Sequence, residues 1–533
     1  MTRTFFGLRA RVLARFSAIA GAAALVAGIT PITTVGANAA STSQTYIVLA
    51  KQENVSARLL SQLRLQGGTI VASYAEIGVV VVRTSDAQFA GRAQKSVDVE
   101  GAANASALTF RLKPSIEGQG GDNNGNPGNQ PVTDGDHLSG LQWDMKQIHT
   151  PEAHAITGGS PSVLVGDIDT GLDYTHPDLA PNVDDANSVN CLSGSAVPGK
   201  VAAMDVNGHG THTAGTIAAA ANGIGIVGVA PRVRIAGIKA GNADGFFFPQ
   251  AVVCAFMWAG SHHFNVTNNS YFADPYYYNC PNGTQAERLI LKAEGRAIAY
   301  ATRKGVTNVA AAGNFSDDMA NPTQDRQSPD DTTPVTRPVT KDCLVIPAQM
   351  PGVIVVSATG NKRMKSYYSN YGMDVIEVAA PGGDRRFQVT PQAVNGRVLS
   401  TFPAFPAGDP RACPTSPTNL KVVDNSVTPP AVYCYLQGTS MASPHVTGLA
   451  ALIISQFGEM SASDVLRLLE RTADPIACPT AAQLVQYAGF PSVNNDAPQM
   501  CTGSASHNSW YGFGEVNALK AITSEGDNNN QNN

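Results

Sequence analysis

The stretch G-T-S-M-A-S-P-H-V-T-G-L-A-A-L-I, residues 438–453, decides how the rest of the chain is interpreted. It continues to about Phe457 without Lys, Arg, Asp or Glu, which predicts a buried helix beginning at Ser440. Pro444 is expected in the first turn of this helix, where a missing backbone N–H removes no hydrogen bond. The Ser440 hydroxyl is therefore expected at a helix start, among backbone N–H groups that favour negative charge.

Between residues 162 and 360, apolar runs typical of strands alternate with stretches typical of helices. The strand-like runs are S-V-L-V-G-D-I-D (162–169), V-R-I-A-G-I-K-A (233–240), F-N-V-T-N-N-S (264–270), V-T-N-V-A-A-A-G (306–313) and V-I-V-V-S-A-T-G (353–360). Helices are predicted from near His209, over 251–260 and over 287–304. This alternation predicts an α/β fold in which a parallel sheet carries helices on both faces. Segments 315–342 and 384–430 are rich in Pro, Asp, Thr and Ser, and we interpret both as loop insertions.

The N-terminal part has another pattern, in the order strand, helix, strand, strand, helix, strand from Thr45 onward. This is the split βαβ arrangement of a small, ferredoxin-like α+β domain. Arginines, an apolar run over 16–29 and then Ala37-Asn38-Ala39 precede it, which predicts an export signal rather than a membrane anchor. The predicted organisation is an export signal at 1–39, the small domain at 40–117, a Gly-, Asn- and Pro-rich linker at 118–136, the large α/β domain at 137–523 and a disordered tail at 524–533.

Charge and cysteine content narrow the range of partners and compartments. The 36 Lys and Arg against 41 Asp and Glu give a formal charge of −5, which provides no electrostatic reason to expect nucleic acid or an anionic membrane. All eight cysteines follow the predicted signal, and an even count in an exported chain predicts four disulfides. Closeness in sequence favours Cys413 with Cys434 and Cys478 with Cys501, while the pairing of the other four stays open.

Three polar residues are expected on one side of the sheet. Asp169 ends the strand at 162–169, and His209 and Ser440 begin helices. A serine hydroxyl becomes an effective nucleophile when a histidine accepts its proton and a carboxylate holds that histidine in the right tautomer. Asn314, after the strand at 306–313, supplies an amide donor for the oxyanion that such an attack creates.

The motifs around these residues are D-T-G (169–171), H-G-T-H-T-A-G (209–215), A-A-A-G-N (310–314) and G-T-S-M-A-S-P-H-V (438–446). In this order they resemble the subtilisin-like serine peptidases. The resemblance implies a secreted endopeptidase that hydrolyses proteins through an acyl-enzyme, with these roles: Asp169 orienting acid, His209 base, Ser440 nucleophile and Asn314 oxyanion donor. It also implies that the small domain is a prodomain, which templates folding and inhibits the enzyme until it is cleaved at a point between about 103 and 140.

The resemblance extends to substrate and cation binding. Relatives pair an extended substrate with strands like N-N-S-Y-F (268–272) and use A-A-G as one pocket wall, which implies the substrate-binding residues Ser270, Tyr271, Ala311, Ala312 and Gly313. Phe272 departs from the family, in which a small residue is usual. The segments H-P-D-L (176–179) and 221–228 resemble the family's calcium site, with Asp178, Asn222 and loop carbonyls as ligands. A plain turn without an ion is the alternative.

The expected partners are protein or peptide substrates and the chain's own prodomain, with no nucleic acid and no membrane, and a monomer is expected. A catalytically silent binding protein on the same fold is the alternative from another class. The intact set of Asp169, His209, Asn314 and Ser440 argues against it. An esterase with a G-x-S-x-G turn is disfavoured because Ser440 lies in G-T-S-M-A.

Asp167 is the most unusual residue of the candidate site. Alternation along the strand places it on the same face as Asp169, where the family usually has an apolar residue. Two buried, uncompensated carboxylates would repel each other and raise one pKa. Our hypothesis is that backbone or hydroxyl donors hold Asp167.

Overall fold

The computed structural model describes residues 43–105, 131–406, 408–415 and 419–524. The predicted export signal, most of the predicted linker and nearly all of the predicted tail lie outside the described residues. In the described part of the chain, no helix is long and apolar enough to cross a membrane.

An antiparallel sheet with two helices forms the N-terminal part. Its elements are β1 (Gln44–Ala50), α1 (Ala57–Leu65), β2 (Thr69–Tyr74), β3 (Val79–Thr84), α2 (Phe89–Ala93) and β4 (Val99–Asn104). The strands lie in the order β2-β3-β1-β4, and their apolar face packs on Leu59 and Leu63 of α1. Ser56 begins α1 by accepting a hydrogen bond from the Leu59 N–H at 3.1 Å. The predicted order of strands and helices is confirmed.

The larger part of the chain is built on an eight-stranded sheet in the order β14-β13-β10-β9-β5-β8-β6-β7, parallel except for the pair β6 and β7. Its elements are α3 (Trp143–Gln147), α4 (Thr150–His154), β5 (Leu164–Asp169), β6 (Val189–Asn190), β7 (Val197–Pro198), α5 (His209–Ala218), β8 (Arg234–Lys239), α6 (Pro249–Ser261), β9 (Val266–Asn269), α7 (Gln285–Arg303), β10 (Thr307–Ala311), β11 (Gln324–Asp325), β12 (Arg337–Pro338), β13 (Val353–Thr359), β14 (Val378–Pro381), β15 (Val398–Thr401), β16 (Lys421–Asp424), β17 (Ala431–Leu436), α8 (Thr439–Phe457), α9 (Ala462–Thr472), α10 (Ala481–Leu484) and α11 (Ala518–Thr523). The predicted α/β architecture is confirmed.

Helices cover both faces of this sheet, as its continuous apolar strands predicted. On one face, α6 and α7 pack on Leu164 and Ile168 of β5. On the other face, α5 and α8 pack on Val165 of the same strand. Because side chains alternate along a strand, Asp167 and Asp169 share the face of Val165 and lie toward α5 and α8.

The interpretation of 384–430 as a loop insertion is wrong in part. This segment contains β15 and β16, which pair antiparallel with β17 in a separate three-stranded sheet. Segment 315–342 likewise contains the short pair β11 and β12. These strands have two to four residues each, and strands this short carry little local signal because tertiary neighbours stabilise them.

The eight cysteines form four disulfides. The pairs Cys413–Cys434 and Cys478–Cys501, which sequence closeness favoured, are confirmed. The other two, Cys191–Cys254 and Cys280–Cys343, each join residues 63 apart. Cys413–Cys434 therefore ties a loop to β17, Cys191–Cys254 ties the segment after β6 to α6, and the other two bridges each join two loops.

Candidate active site

Asp169 and His209 meet at the carboxyl edge of the central sheet. Asp169 ends β5 and is fully buried, and His209 begins α5 with 30% of its side chain exposed. Both carboxylate oxygens of Asp169 lie within hydrogen-bond distance of His209 Nδ1, at 2.8 and 3.0 Å. Because Nδ1–H donates to this carboxylate, Nε2 is the nitrogen that accepts a proton in the neutral ring.

The start of α5 is held against the end of β5 by Asp205, a residue that the sequence motifs did not indicate. Its carboxylate accepts hydrogen bonds from the Thr211 N–H and the Thr170 hydroxyl, each at 3.0 Å. A carboxylate at this end of a helix also meets the positive end of the helix dipole. Gly210 permits the close approach of the two elements, because a Cβ there would lie 2.1 Å from the carbonyl oxygen of Gly171.

Ser440 lies in the first turn of α8, where its hydroxyl donates to the Ser270 carbonyl at 3.1 Å rather than to His209. The expected position of Pro444 was wrong, since Pro444 lies in the second turn of α8. Its missing N–H leaves the Ser440 carbonyl without an intrahelical donor. The Ser270 hydroxyl donates to that carbonyl at 3.0 Å instead. The two serines therefore exchange hydrogen bonds and hold the helix start against the end of β9.

Asn314 follows β10 and reaches the start of α8. Its side-chain oxygen accepts hydrogen bonds from the N–H (2.9 Å) and the hydroxyl (3.0 Å) of Thr439. With the oxygen engaged, Nδ2 is the donor that remains for the cleft. A Cβ on Gly438 would lie 3.6 Å from both Asn314 Nδ2 and the backbone nitrogen of Ser440. One side-chain donor and one backbone donor of a helix start thus lie near each other, as an oxyanion requires.

A cavity opens beside Ser440, between the loops that follow β9 and β10. The predicted substrate-binding residues all line it, namely Ser270, Tyr271, Ala311, Ala312 and Gly313. Three more lining rings contact one another with centroids 4.6 to 6.2 Å apart, those of Phe272, Tyr277 and Phe315. Phe272 comes from one wall and Phe315 from the other, so their contact narrows the cavity.

The two predicted calcium ligands have different surroundings. Asp178 is buried, and its Oδ2 accepts hydrogen bonds from the Ile226 N–H and the Tyr433 hydroxyl, each at 3.0 Å. Its Oδ1 has no hydrogen-bond partner among the described residues, and such an orphaned carboxylate oxygen fits a hard cation. Asn222 is exposed, and its side-chain oxygen accepts from the Ile224 N–H at 2.9 Å. Within the described ranges, no cluster of three or more His, Cys, Asp or Glu could hold a metal.

Comparison with known proteins decides the family. The profile of the Subtilase family matches residues 160–514, which is more than half of the chain. The chain belongs to the subtilase family. It is a serine endopeptidase of the subtilisin type.

Curated relatives and solved structures agree with this assignment. Subtilisin BL of Lederbergia lenta is 29% identical over 336 residues, which cover 62% of this subtilase and 91% of that protein. Subtilisin DY of Bacillus licheniformis is 30% identical over 313 residues, which cover 58% of this subtilase and 84% of that protein. The crystal structure of the epidermin leader peptide processing serine protease of Staphylococcus aureus has a TM-score of 0.60 at 22% identity, covering 90% of this subtilase and 98% of that chain. This last likeness shows a shared fold.

The charges around His209 of the subtilase favour the protonated ring. Burial alone would lower the pKa of His209, but the charge and hydrogen bonds of the adjacent Asp169 carboxylate raise it to about 9. An isolated histidine has a pKa of about 6.5. In its neutral form, His209 of the subtilase is therefore a stronger base than an isolated histidine.

Two more histidines of the motifs are buried and hydrogen-bonded away from the cleft of the subtilase. His212 Nε2 lies 2.9 Å from the Cys434 carbonyl oxygen. His445 lies with Nδ1 2.8 Å from the Met441 carbonyl oxygen and Nε2 3.1 Å from Asp144. Both therefore support the packing of α5 and α8 rather than the chemistry of the cleft.

Proposed function

We propose that this subtilase hydrolyses peptide bonds with Ser440 as nucleophile, His209 as general base and Asp169 as the group that orients His209. The observation that carries this proposal is the contact of both Asp169 oxygens with His209 Nδ1 at 2.8 and 3.0 Å. It fixes the tautomer in which Nε2 accepts a proton. His209, Asn314 and Ser440 line one cavity that leaves room for an acyl group beside Ser440, and Asp169 lies fully buried behind His209.

Proton transfer through His209 drives both halves of the reaction. The Ser440 hydroxyl proton passes to His209 Nε2 while Oγ forms a bond to the substrate carbonyl carbon. The carbonyl oxygen becomes an oxyanion, which accepts hydrogen bonds from Asn314 Nδ2 and the Ser440 N–H. His209 then protonates the leaving amine, the C–N bond breaks, and an acyl ester remains on Ser440. Water attacks this ester with His209 as base, which releases the acid and restores the hydroxyl.

Substrate binding prepares Ser440 for this step. In the structure its hydroxyl donates to the Ser270 carbonyl. A substrate that adds as an extended strand along residues 270–272 offers a backbone N–H to that carbonyl in place of the hydroxyl. Ser440 then turns about its Cα–Cβ bond toward His209. Ala311, Ala312 and Gly313 form the other wall of the pocket for the residue before the scissile bond.

The proposed precursor has a signal at 1–39, a prodomain at 40–117, a linker at 118–136, a peptidase domain at 137–523 and a tail at 524–533, and it is secreted. Contacts of the N-terminal part with α6 and α7 support a prodomain role. Glu100 of β4 forms ion pairs with Lys292 and Arg296 of α7, and Arg296 donates to the Ile77 carbonyl at 3.1 Å. Buried apolar residues of the N-terminal sheet, among them Ile47 and Leu49, also share one hydrophobic core with α6 and α7, as an inhibitory prodomain that stays bound before removal requires.

Structural calcium is the proposed cofactor, held by Asp178 Oδ1 with Asn222 and carbonyl oxygens of loop 221–228. When bound, the cation neutralises the Asp178 carboxylate and ties the loop after α5 to the sheet. Removal of calcium with a chelator is expected to lower the thermal midpoint of the wild type and to have a smaller effect on Asp178→Asn. Asp244→Asn, at an exposed carboxylate, is the matched control. Identical chelator responses of wild type and Asp178→Asn would refute the site.

A covalent probe tests the function most directly. Wild type and Ser440→Ala, both produced by an exporting host, are treated with a fluorophosphonate, and intact mass and N-terminal sequence are recorded. Labelling of wild type alone, with a new N-terminus that appears only when Ser440 is present, is expected. A folded wild type that stays unlabelled after trypsin has removed the N-terminal part would contradict the proposal and favour a silent binding protein.

A further inference from the structure

Asp167 forms hydrogen bonds that the subtilase motifs do not explain. It lies on β5, two residues before Asp169, and is fully buried. The Thr213 hydroxyl lies 2.7 Å from its Oδ2, and Asn268 Nδ2 donates to its Oδ1 at 2.8 Å. Of the backbone or hydroxyl partners that our hypothesis expected, the Thr213 hydroxyl is present, and the second partner is a side-chain amide.

These two partners extend to the elements that carry the rest of the candidate site. Thr213 lies one turn after His209 on α5, with its hydroxyl 3.0 Å from the Gly210 carbonyl oxygen. Asn268 lies on β9, and its side-chain oxygen accepts hydrogen bonds from Ser443 at 2.8 Å and Thr447 at 3.3 Å. Both of these hydroxyls belong to α8, which carries the candidate nucleophile in its first turn. One carboxyl group therefore joins β5, α5, β9 and, through Asn268, α8.

The charged groups near Asp167 favour a neutral side chain. Asp169 on the same strand and His209 on α5 face it, with Asp205 beyond His209. Burial, and then the negative charge of Asp169, raise the pKa of Asp167 well above its usual range, although the hydrogen bonds from Asn268 and Thr213 and the charge of a protonated His209 oppose this.

Among the described residues, β8, α8 and β9 offer Asp167 no cation that could balance a second carboxylate. On β8, the Lys239 ammonium donates to the Met204 carbonyl at 2.6 Å. On α8, His445 is paired with Asp144. From β9 the contact is the uncharged amide of Asn268. Asp169 is thus the group that pairs with His209, and a second buried anion at Asp167 would have no partner of its own.

A protonated Asp167 satisfies every group in this network. Its Oδ2–H donates to the Thr213 oxygen, and the Thr213 hydrogen then donates to the Gly210 carbonyl. Its Oδ1 still accepts from Asn268 Nδ2. An ionised Asp167 would instead compete with the Gly210 carbonyl for the single hydrogen of Thr213.

We propose that Asp167 is a positioning residue, held as a neutral carboxylic acid, that aligns the strand of Asp169, the helix of His209 and the helix of Ser440. This inference rests on the proposed function, because it assigns these three groups to catalysis. It gives Asp169 and Asp167 opposite protonation states although they are neighbours on one face of β5. The neutral carboxylic acid holds β5, α5 and α8 in position, and it adds no second negative charge beside His209.

Three variants separate a neutral acid from an anion and from an inert core residue. Asp167→Asn is neutral and of the same shape, with an oxygen for Asn268 and an N–H₂ for Thr213. We therefore expect its kcat to stay within about 3-fold of wild type, and the fall of its kcat/KM toward acidic pH (the acid limb of the pH–rate profile) to be unchanged. Asp167→Val leaves both partners unpaired, and kcat is expected to fall by roughly 10- to 100-fold with little change in KM, as for a slight misplacement of reacting groups. Asp167→Val with Thr213→Val removes one unpaired hydroxyl and is expected to recover part of that loss.

Two outcomes of these kinetics would overturn the proposal. If Asp167→Val had the same kcat and the same acid limb as the wild type, Asp167 would not position the catalytic groups. An acid limb shifted to lower pH in Asp167→Asn would show that wild-type Asp167 carries a negative charge that acts on His209. Active-site titration with the fluorophosphonate normalises every rate, so a variant that folds poorly is not mistaken for one that reacts slowly.

A spectroscopic readout keeps the inference apart from the proposed function. In the Ser440→Ala background, which performs no hydrolysis, the carboxyl ¹³C resonance of Asp167 is assigned by its loss in Asp167→Asn. It is expected to stay at the position of a protonated acid from about pH 6 to about pH 9, a range in which ordinary carboxyls are ionised. A carboxylate shift in that range would overturn the inference even if the enzyme is active. If instead the ¹³C chemical shift of Asp167 is that of a protonated acid but the fluorophosphonate does not label the wild type, the neutral Asp167 network stands and the peptidase mechanism is rejected.

Discussion

Ser270 and Ser440 exchange two hydrogen bonds, each hydroxyl donating to the other residue's carbonyl oxygen at 3.1 and 3.0 Å. The second bond replaces the intrahelical donor that Pro444 lacks. The first bond directs the Ser440 hydroxyl to the Ser270 carbonyl instead of His209, and in the proposed mechanism a substrate N–H replaces it. The same two serines therefore stabilise the start of α8 and set the direction of the Ser440 hydroxyl.

Stability of the helix start is expected to depend on this exchange. In the Ser440→Ala background, Ser270→Ala leaves the carbonyl at position 440 without a donor and should lower the free energy of unfolding by about 1 to 3 kcal/mol. Pro444→Ala restores a backbone N–H at position 444, so Ser270→Ala should cost less when both changes are present. Denaturant unfolding of the four proteins measures this coupling, with the exposed Ser261→Ala as control. Equal costs in both backgrounds would contradict the role of the Ser270 hydroxyl.

Asn314 is expected to act in the transition state more than in substrate binding. Asn314→Ala removes the Nδ2 donor, and kcat should fall by roughly 100- to 1000-fold, the magnitude known for loss of one such donor in subtilisin, with KM little changed. Steady-state kinetics with a peptide substrate measure the change. Asn321→Ala, at an exposed asparagine of the following loop, should behave as wild type. A loss that appeared only in KM would show that Asn314 binds substrate and does not meet the oxyanion.

The pH profile is expected to reflect the raised pKa of His209. Although burial opposes it, the Asp169 carboxylate raises this pKa to about 9. The neutral ring accepts the Ser440 proton, so kcat/KM should be low at acidic pH, rise as the pH passes through the pKa of His209 and level off above it. Rates with an uncharged ester substrate, measured from about pH 5 to about pH 11, test this. A midpoint at or below the ordinary histidine value would contradict the dominance of Asp169, and Asp244→Asn should leave the midpoint unchanged.

Phe272 is expected to limit the size of the substrate residue before the scissile bond. Its ring meets Phe315 across the pocket, with centroids 6.2 Å apart, and meets Tyr277 at 5.1 Å. Phe272→Gly opens this space, so the ratio of kcat/KM for phenylalanine over alanine at that substrate position should rise by roughly 10-fold or more. Paired peptide substrates measure the ratio, and Phe405→Ala, outside the cavity, is the control. An unchanged ratio would mean that other residues set the preference.

Local patterns in the sequence predicted the elements that carry the candidate site. Helix starts, strand ends and the alternation of side chains depend on residues next to each other, which explains why Asp169, His209 and Ser440 were expected at the correct ends of β5, α5 and α8. Their mutual approach also followed, because the carboxyl ends of parallel strands share one edge of a sheet. The same reasoning located Asp167 beside Asp169.

Contacts between distant segments were not predictable in this way. Asp205 belongs to no motif, yet its carboxylate holds the start of α5. Pro444 was predicted one turn too early in α8. Its actual position is compensated by the hydroxyl of Ser270, which is 170 residues away in the sequence. The three-stranded sheet within 384–436 was mistaken in part for a loop, since its strands are stabilised by their neighbours rather than by their own composition.

By itself, the sequence determined the order of the strands and helices that carry the candidate site, the residue types at the cleft and the even number of cysteines. Only the tertiary structure decided which cysteines of the long connections pair, that Phe272 meets Phe315 and that Asp167 bonds to Thr213 and Asn268. The physical reason is the range of the interactions. Propensity and periodicity act over a few residues, whereas these contacts form when packing of the whole sheet and its helices brings distant side chains within a few ångströms.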